Sequence, residues 1–153
     1  MTTVIFTKNL FFESCIDMEH WLIKSEPFKY SWEQFQKDKK TMWDGVRNYQ
    51  ARNNLRLMKK GDLALFYHSN EGLEIVGIAK VVREHYPDPT SDEGDLWSVV
   101  DFAPYKKLPR PVPLSRIKDE EALSGMEMIR LNRLSVTKVT APEFDFICAL
   151  GGL

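Results

Sequence analysis

The chain has 153 residues, 43% of them hydrophobic and 28% charged, with a formal net charge of −1. That length supports one domain with a full hydrophobic core, and the composition excludes a fibre or a disordered chain. Near-neutrality excludes indiscriminate binding to nucleic acid through bulk charge.

The opening MTTVIFTKNLFFESCID lacks an uninterrupted apolar stretch and carries Lys8, Glu13 and Asp17, which argues against a secretory signal. Residues 1–17 are read as an appendage, and 18–153 as the domain. No apolar run approaches the roughly 18 residues of a spanning helix, so no membrane partner is expected. Cys15 and Cys148 make neither a disulfide framework nor a metal-ligand spacing. An intracellular place is expected: cytoplasmic, or nuclear in a eukaryote.

MEHWLIK (18–24) reads as a first strand. After the turn SEP, Ser31 and Gln34 have capping-box spacing and predict a short helix over SWEQFQKD, with Trp32 and Phe35 inward. A basic loop leads into MWDGVRN. Ala51, Leu55 and Met58 then recur at helical spacing, with Gly61 expected to close that helix. DLALFYH (62–68) and EIVGIAKVVRE (74–84) predict two strands joined by SNEGL, apolar on both faces and so central in a sheet. HYPDPTSDEGD is expected to be a solvated acidic loop. LWSVVDFAPY (96–105) predicts another strand, and the proline-rich KKLPRPVPL an edge strand. Ser115 is placed as the cap of a short helix to Leu123, and RLSVTKV (133–139) as a last extended segment. Thr140 and Glu143, with Pro142 between them, predict a capping box opening the final helix. The sum is α+β: five to six mostly antiparallel strands, curled into a small open barrel and flanked by short helices.

Enzyme constellations are weak. Ser69, His68 and Asp101 lack a nucleophile-elbow pattern, and adjacent residues of a strand point to opposite faces. His20, His68 and His85 lack metal spacing, and no phosphate-binding glycine motif occurs, so no cofactor is called for. What stands out is recognition chemistry in MWDGVRNYQARNN (42–54). Trp43 offers either core burial or a stacking face, beside amides and guanidinium groups suited to base edges and phosphates. Between Lys37 and Lys60, eight basic residues face only Asp38 and Asp44, a patch that suits nucleic acid or a solvated helix face equally.

WLIKSEP (21–27), WDGVRNYQARNNLR (43–56), GDLALFYHSN (61–70), IVGIAKVVREHYPDP (75–89), WSVVDF (97–102), VPLSRIK (112–118) and RLSVTKV (133–139), in that order, resemble an EVE domain. The resemblance covers essentially all of 18–150. It implies a PUA-like curled β-barrel related to YTH domains, and a non-enzymatic reader of a modified base flipped into an aromatic cage. Modified cytosine in DNA is the favoured ligand, ahead of RNA. By position, Trp43 resembles the cage floor, and Lys24 with Ser25 the pair that ends the first strand beside it. Tyr86 or Tyr67 is expected to be the second wall. Ser25, Asp44 and Asn48 are expected on the Watson–Crick edge, with His68 and Ser135 as further pocket candidates. Arg47, Arg52, Arg133 and Lys24 are expected on phosphates, and Trp21 and Trp97 in the core. The alternatives are a PUA-like RNA-processing enzyme and a protein-interaction domain.

Overall fold

The computed structural model describes residues 18–153; the appendage expected at 1–17 lies outside them. In chain order the elements are β1 (His20–Ser25), α1 (Trp32–Asp38), β2 (Thr41–Met42), α2 (Tyr49–Leu57), β3 (Leu63–His68), β4 (Glu74–Pro87) and β5 (Ser98–Pro113). There follow α3 (Leu114–Asp119), a 3-10 turn (Glu121–Leu123), α4 (Glu127–Arg130), β6 (Val136–Val139) and α5 (Ala141–Leu150). The six strands form one sheet in the order β2-β5-β4-β3-β1-β6. Every neighbouring pair is antiparallel except β1 with β3. The fold is thus α+β, as the PUA-like resemblance implies, and among the described residues the sheet ends at β2 and β6, with no hydrogen-bonded ladder closing a barrel.

The parallel pair decides where a site can form. Parallel neighbours cannot be joined by a hairpin, so the chain must cross the sheet between them. Residues 26–62 make that crossover. They carry α1 over one face, touch the far edge as β2, which pairs Thr41 with Phe102, and return as α2.

Both sheet faces are covered, which is why β3 reads as an unbroken apolar run. Ala64 and Phe66 face a core with Trp21, Ile23, Trp32, Phe35, Trp43, Leu55 and Met58. Leu63, Leu65 and Tyr67 face the opposite core with Leu22, Ile78, Ile117, Met128, Phe144 and Ile147. Gly77 on β4 is required by the first core. A Cβ there would stand 2.5 Å from the Trp32 ring, which packs edge-on to Phe66 at 5.3 Å.

Several local expectations are corrected. Ser31 accepts from the N–H of Gln34, but the Gln34 amide turns to Asp38 at 2.8 Å, so only half of the capping box forms. α2 ends at Met58 in extended conformation, and Gly61 instead donates its N–H to Val81 in the next turn. β4 runs on through His85, Tyr86 and Pro87, three residues expected in the acidic loop. LWSVVDFAPY and KKLPRPVPL are one strand, β5, paired with β4 from Pro87↔Ser98 to Glu74↔Pro113. Its prolines are tolerated because β2 covers only Phe102 and Asp101, leaving the outer rim beyond them without a strand partner among the described residues. The helix expected behind Ser115 begins at Leu114, with no side-chain cap. The capping box of Thr140 and Glu143 forms complete.

Candidate functional site

One cleft of about 480 Å³ opens at the crossover, within the size range of small-molecule sites. It is lined by the end of β1 (Lys24, Ser25), the following turn (Glu26, Lys29, Tyr30), the segment from Thr41 to Asn48, and Ser135.

Trp43 is buried in the core and also borders the cleft. It is only 9% exposed, with its ring edge-on to Phe66 and Phe102, each at 5.7 Å, and to Tyr30 at 6.3 Å. Its backbone N–H donates to the Val100 carbonyl at 2.8 Å. It also lines the cleft. A ring fixed this firmly has already lost its conformational freedom, so stacking on it costs little further ordering.

The turn that follows is held by a residue the sequence placed in solvent. Asp88 is buried at 1% exposure and accepts from the N–H of Gly45 (3.1 Å), Arg47 (2.9 Å), the Thr90 N–H (2.7 Å) and the Thr90 hydroxyl (2.6 Å). Burial alone would raise its pKa. The Thr90 hydroxyl, Arg47 and the two backbone N–H groups outweigh that and hold the carboxyl down to about 2. Gly45 supplies the positive φ of 79° that the turn needs.

The polar groups have defined polarity. Ser25 donates its hydroxyl to the Tyr30 carbonyl at 2.5 Å, which leaves it an acceptor toward the cleft. The Asn48 side-chain oxygen caps α2 by accepting from Ala51 at 3.0 Å, so its NH₂ remains to donate. Asp44 is exposed and lines the same space, and Ser135 is held by its carbonyl, which accepts from the Lys24 N–H at 3.0 Å. The Lys24 ammonium donates to the Asn132 carbonyl at 2.9 Å, and burial lowers its pKa. Burial, reinforced by a hydrogen bond to Asp38, pushes the Tyr30 phenol up to about 12.

The expected second wall lies elsewhere. Tyr67 is buried in the opposite core, because residues of β3 alternate faces. Tyr86, part of β4, donates to Asp101 and has the Arg83 guanidinium 3.7 Å from its ring centre. Neither lines the cleft. Tyr30 and Met42 do, and the sequence reading missed both. The only signal for Tyr30 was its place one residue before the cap Ser31, which ties the turn to α1. His68 is structural: its Nε2 accepts the Trp32 N–H at 3.1 Å, and burial lowers its pKa so that this lone pair stays available.

Of the expected phosphate contacts, Arg47 is committed to Asp88, and Arg52 donates to Asn53 and to the Leu96 carbonyl. Arg52 also lies over the rings of Tyr49 (5.0 Å) and Trp97 (5.9 Å). Arg133 is exposed in a neighbouring hollow of about 250 Å³, shared with Asn48, Gln50, Leu131, Asn132 and Leu134. Trp21 and Trp97 are buried, as expected. Among the described residues no three potential metal ligands gather, and no helix is long and apolar enough to cross a membrane.

Comparison with known proteins gives a consistent picture. The family model described as EVE domain matches residues 19–150. Thymocyte nuclear protein 1 of Gallus gallus is 41% identical, over 90% of this chain and 71% of that protein. A solved protein of Agrobacterium tumefaciens is 46% identical with a TM-score of 0.86, covering 88% of this chain and 94% of that one. The human THYN1 protein, solved in complex with 5-methylcytosine containing DNA, is 38% identical with a TM-score of 0.82, covering 89% of this chain and 99% of that one.

Proposed function

The chain belongs to the EVE domain family, and from that premise we propose that its cleft binds nucleic acid carrying a modified base, with modified cytosine in DNA the foremost ligand. Residues 18–153 act as one binding domain. The observation that carries the reading is the rigid Trp43 ring at the base of a cleft whose polar groups have fixed polarity. The relative solved with 5-methylcytosine containing DNA supports the choice of ligand.

A flipped base must satisfy its polar edge when it is buried. Cytosine offers an amino group as donor and two acceptors along that edge. Ser25 and Asp44 supply acceptors for the amino group, and the Asn48 NH₂ supplies a donor for the ring nitrogen or carbonyl. Tyr30 and Met42 form the walls beside Trp43. Arg133 takes a neighbouring phosphate, while Arg47 and Arg52 act first as braces of the cleft.

We read the protein as a binding module without catalytic activity. Ser25, which lines the same cleft as Trp43, spends its hydroxyl proton on a backbone carbonyl rather than on a base that would activate it. Its place of work is the compartment that holds the DNA: the cytoplasm, or the nucleus in a eukaryote.

The test uses oligonucleotides that differ only in one modified cytosine. Wild-type protein should prefer the modified strand. Trp43→Ala should lose about 5- to 150-fold, the equivalent of one base stack, while Trp43→Phe keeps part of it. Circular dichroism measures the folded fraction of each variant, since Trp43 also packs in the core. Equal binding of modified and unmodified strands by the wild type would sink the reading.

A further inference from the structure

Resting on that reading, we propose that Phe28 is the wedge that fills the gap left in a DNA duplex when the modified base is extruded into the cleft. The two most exposed large hydrophobic side chains among the described residues are Phe28 at 65% and Tyr49 at 59%. Single exposed apolar residues are ordinary on protein surfaces. These two are set apart by position. Phe28 stands between Glu26 and Lys29, both lining the cleft, and Tyr49 follows Asn48, which also lines it.

The two rings differ in what they can do. Tyr49 is stacked on Trp97 at 5.2 Å and 26°, with the Arg52 guanidinium 5.0 Å from its centre, so one face is already taken. A ring with one free face can support a base at the end of a stack, but it cannot enter between two bases. Phe28 is in no ring stack; the Lys29 ammonium lies over one face, 5.7 Å from the ring centre. The contrast with Tyr49 is in what covers each ring. Tyr49 is stacked on a buried indole, whereas the only cover on Phe28 among the described ring contacts is a lysine side chain that is itself 69% exposed and can swing aside to admit a base.

The base beneath Phe28 is firm. The turn is closed by the N–H groups of Lys29 and Tyr30, each donating to the Glu26 carbonyl at 2.9 Å, and by a Lys29–Glu26 ion pair at 3.1 Å. Extrusion costs unpairing and unstacking, and apolar side chains are the kind that proteins insert between base steps of a deformed duplex. In the gap left by an extruded base such a ring covers the exposed faces of the neighbouring bases. Phe28 is the side chain of the right chemistry, at the rim, with nothing else to do. A single strand has no such gap, so the wedge should matter only for a duplex.

The experiment compares wild type, Phe28→Ala and Phe28→Leu on the same modified cytosine in duplex and in single-stranded DNA. A 2-aminopurine next to the modified position reports unstacking. Phe28→Ala should weaken duplex binding about tenfold, the equivalent of about 1.4 kcal/mol. Single-strand binding should stay within about twofold, and Phe28→Leu should recover part of the loss because an apolar wedge remains. Equal losses on both forms would make Phe28 an ordinary contact and overturn the wedge. Unchanged binding on both forms would also overturn it, leaving the base-reading proposal intact. If the wild type fails to distinguish modified from unmodified DNA in either form, both proposals fall together.

Discussion

The two faces of the sheet are built from the same strands and equally buried, yet they are chemically unlike. The face beneath the crossover is rich in rings: Trp21, Trp32, Phe35, Trp43, Phe66 and Phe102. The opposite face is mostly aliphatic, with Leu22, Leu65, Ile75, Ile78, Leu108 and Ile117 at its heart. Aliphatic side chains can fill a core wherever volume allows. Aromatic rings arranged edge to face also fix one another's orientation. The rings concentrate where one of them, Trp43, reaches the cleft, so on the proposed function the first core would set the angle of the base-stacking ring while the second contributes to stability.

Adjacent residues of β3 put that difference to the sharpest test. Leu65 points to the aliphatic face and Phe66 to the aromatic one, and both are fully buried. Each alanine substitution should cost about 2–5 kcal/mol of stability, measured by urea unfolding. Below the melting transition, Leu65→Ala should bind modified DNA within about twofold of wild type. Phe66→Ala removes a ring edge-on to Trp43 at 5.7 Å and should lower affinity about tenfold, most of one base stack. Equal effects on binding from both variants would erase the distinction between the faces.

The same contrast governs how much was legible in the sequence. Strands β3 and β4, the half-formed cap at Ser31 and the full box at Thr140 follow from local patterns, and they were read with small errors at the ends. Trp43, Ser25 and Asn48, which line one cleft in the fold, were named as candidates because they stand in short motifs and match the family pattern. Asp88 was missed because its partners Gly45 and Arg47 lie more than forty residues away, and no local pattern marks an aspartate between prolines as buried. Tyr67 and Tyr86 were misplaced for a related reason: ring chemistry is visible in a sequence, but which face a ring takes depends on register. β4 extends three residues past its apolar run because β5 continues alongside it, with Tyr86 paired to Val99. Pairing across the sheet, not propensity, sets that end.

Asp88 allows the next test, which separates the braced cleft from the self-sufficient face. Its pKa falls from 3.8 to about 2 on folding. A carboxyl depressed in the fold stabilises above its unfolded pKa, and that stabilisation is lost as pH falls through the folded value. The contribution is on the order of 2 kcal/mol at neutral pH, disappearing between about pH 4 and pH 2. Urea midpoints across that window should fall more steeply for wild type than for Asp88→Asn. The asparagine variant should also bind modified DNA more weakly, because Arg47 loses its ion pair and the turn from Trp43 to Asn48 loosens. A variant with the wild-type pH profile would show that other carboxylates carry the acid sensitivity.

The smallest effect expected separates two arginines that looked alike in the sequence. Arg52 is spent on the Leu96 carbonyl, on Asn53 and on the rings of Tyr49 and Trp97. Arg133 stands exposed beside the second hollow, next to Asn132, whose carbonyl holds Lys24 at the cleft. A phosphate contact contributes affinity through counterion release, so removing one lowers the slope of log affinity against log salt by about 1. Arg133→Ala should show that change with a loss of only a few-fold in affinity, and with no change in the preference for modified over unmodified strands, since phosphates carry no sequence information. Arg52→Ala should leave the slope nearly intact and act instead through stability, because the brace between α2 and the loop before β5 is broken. If the slope falls by the same amount in both variants, Arg52 leaves its internal partners when DNA binds, and α2 is then part of the DNA-contacting surface rather than its support.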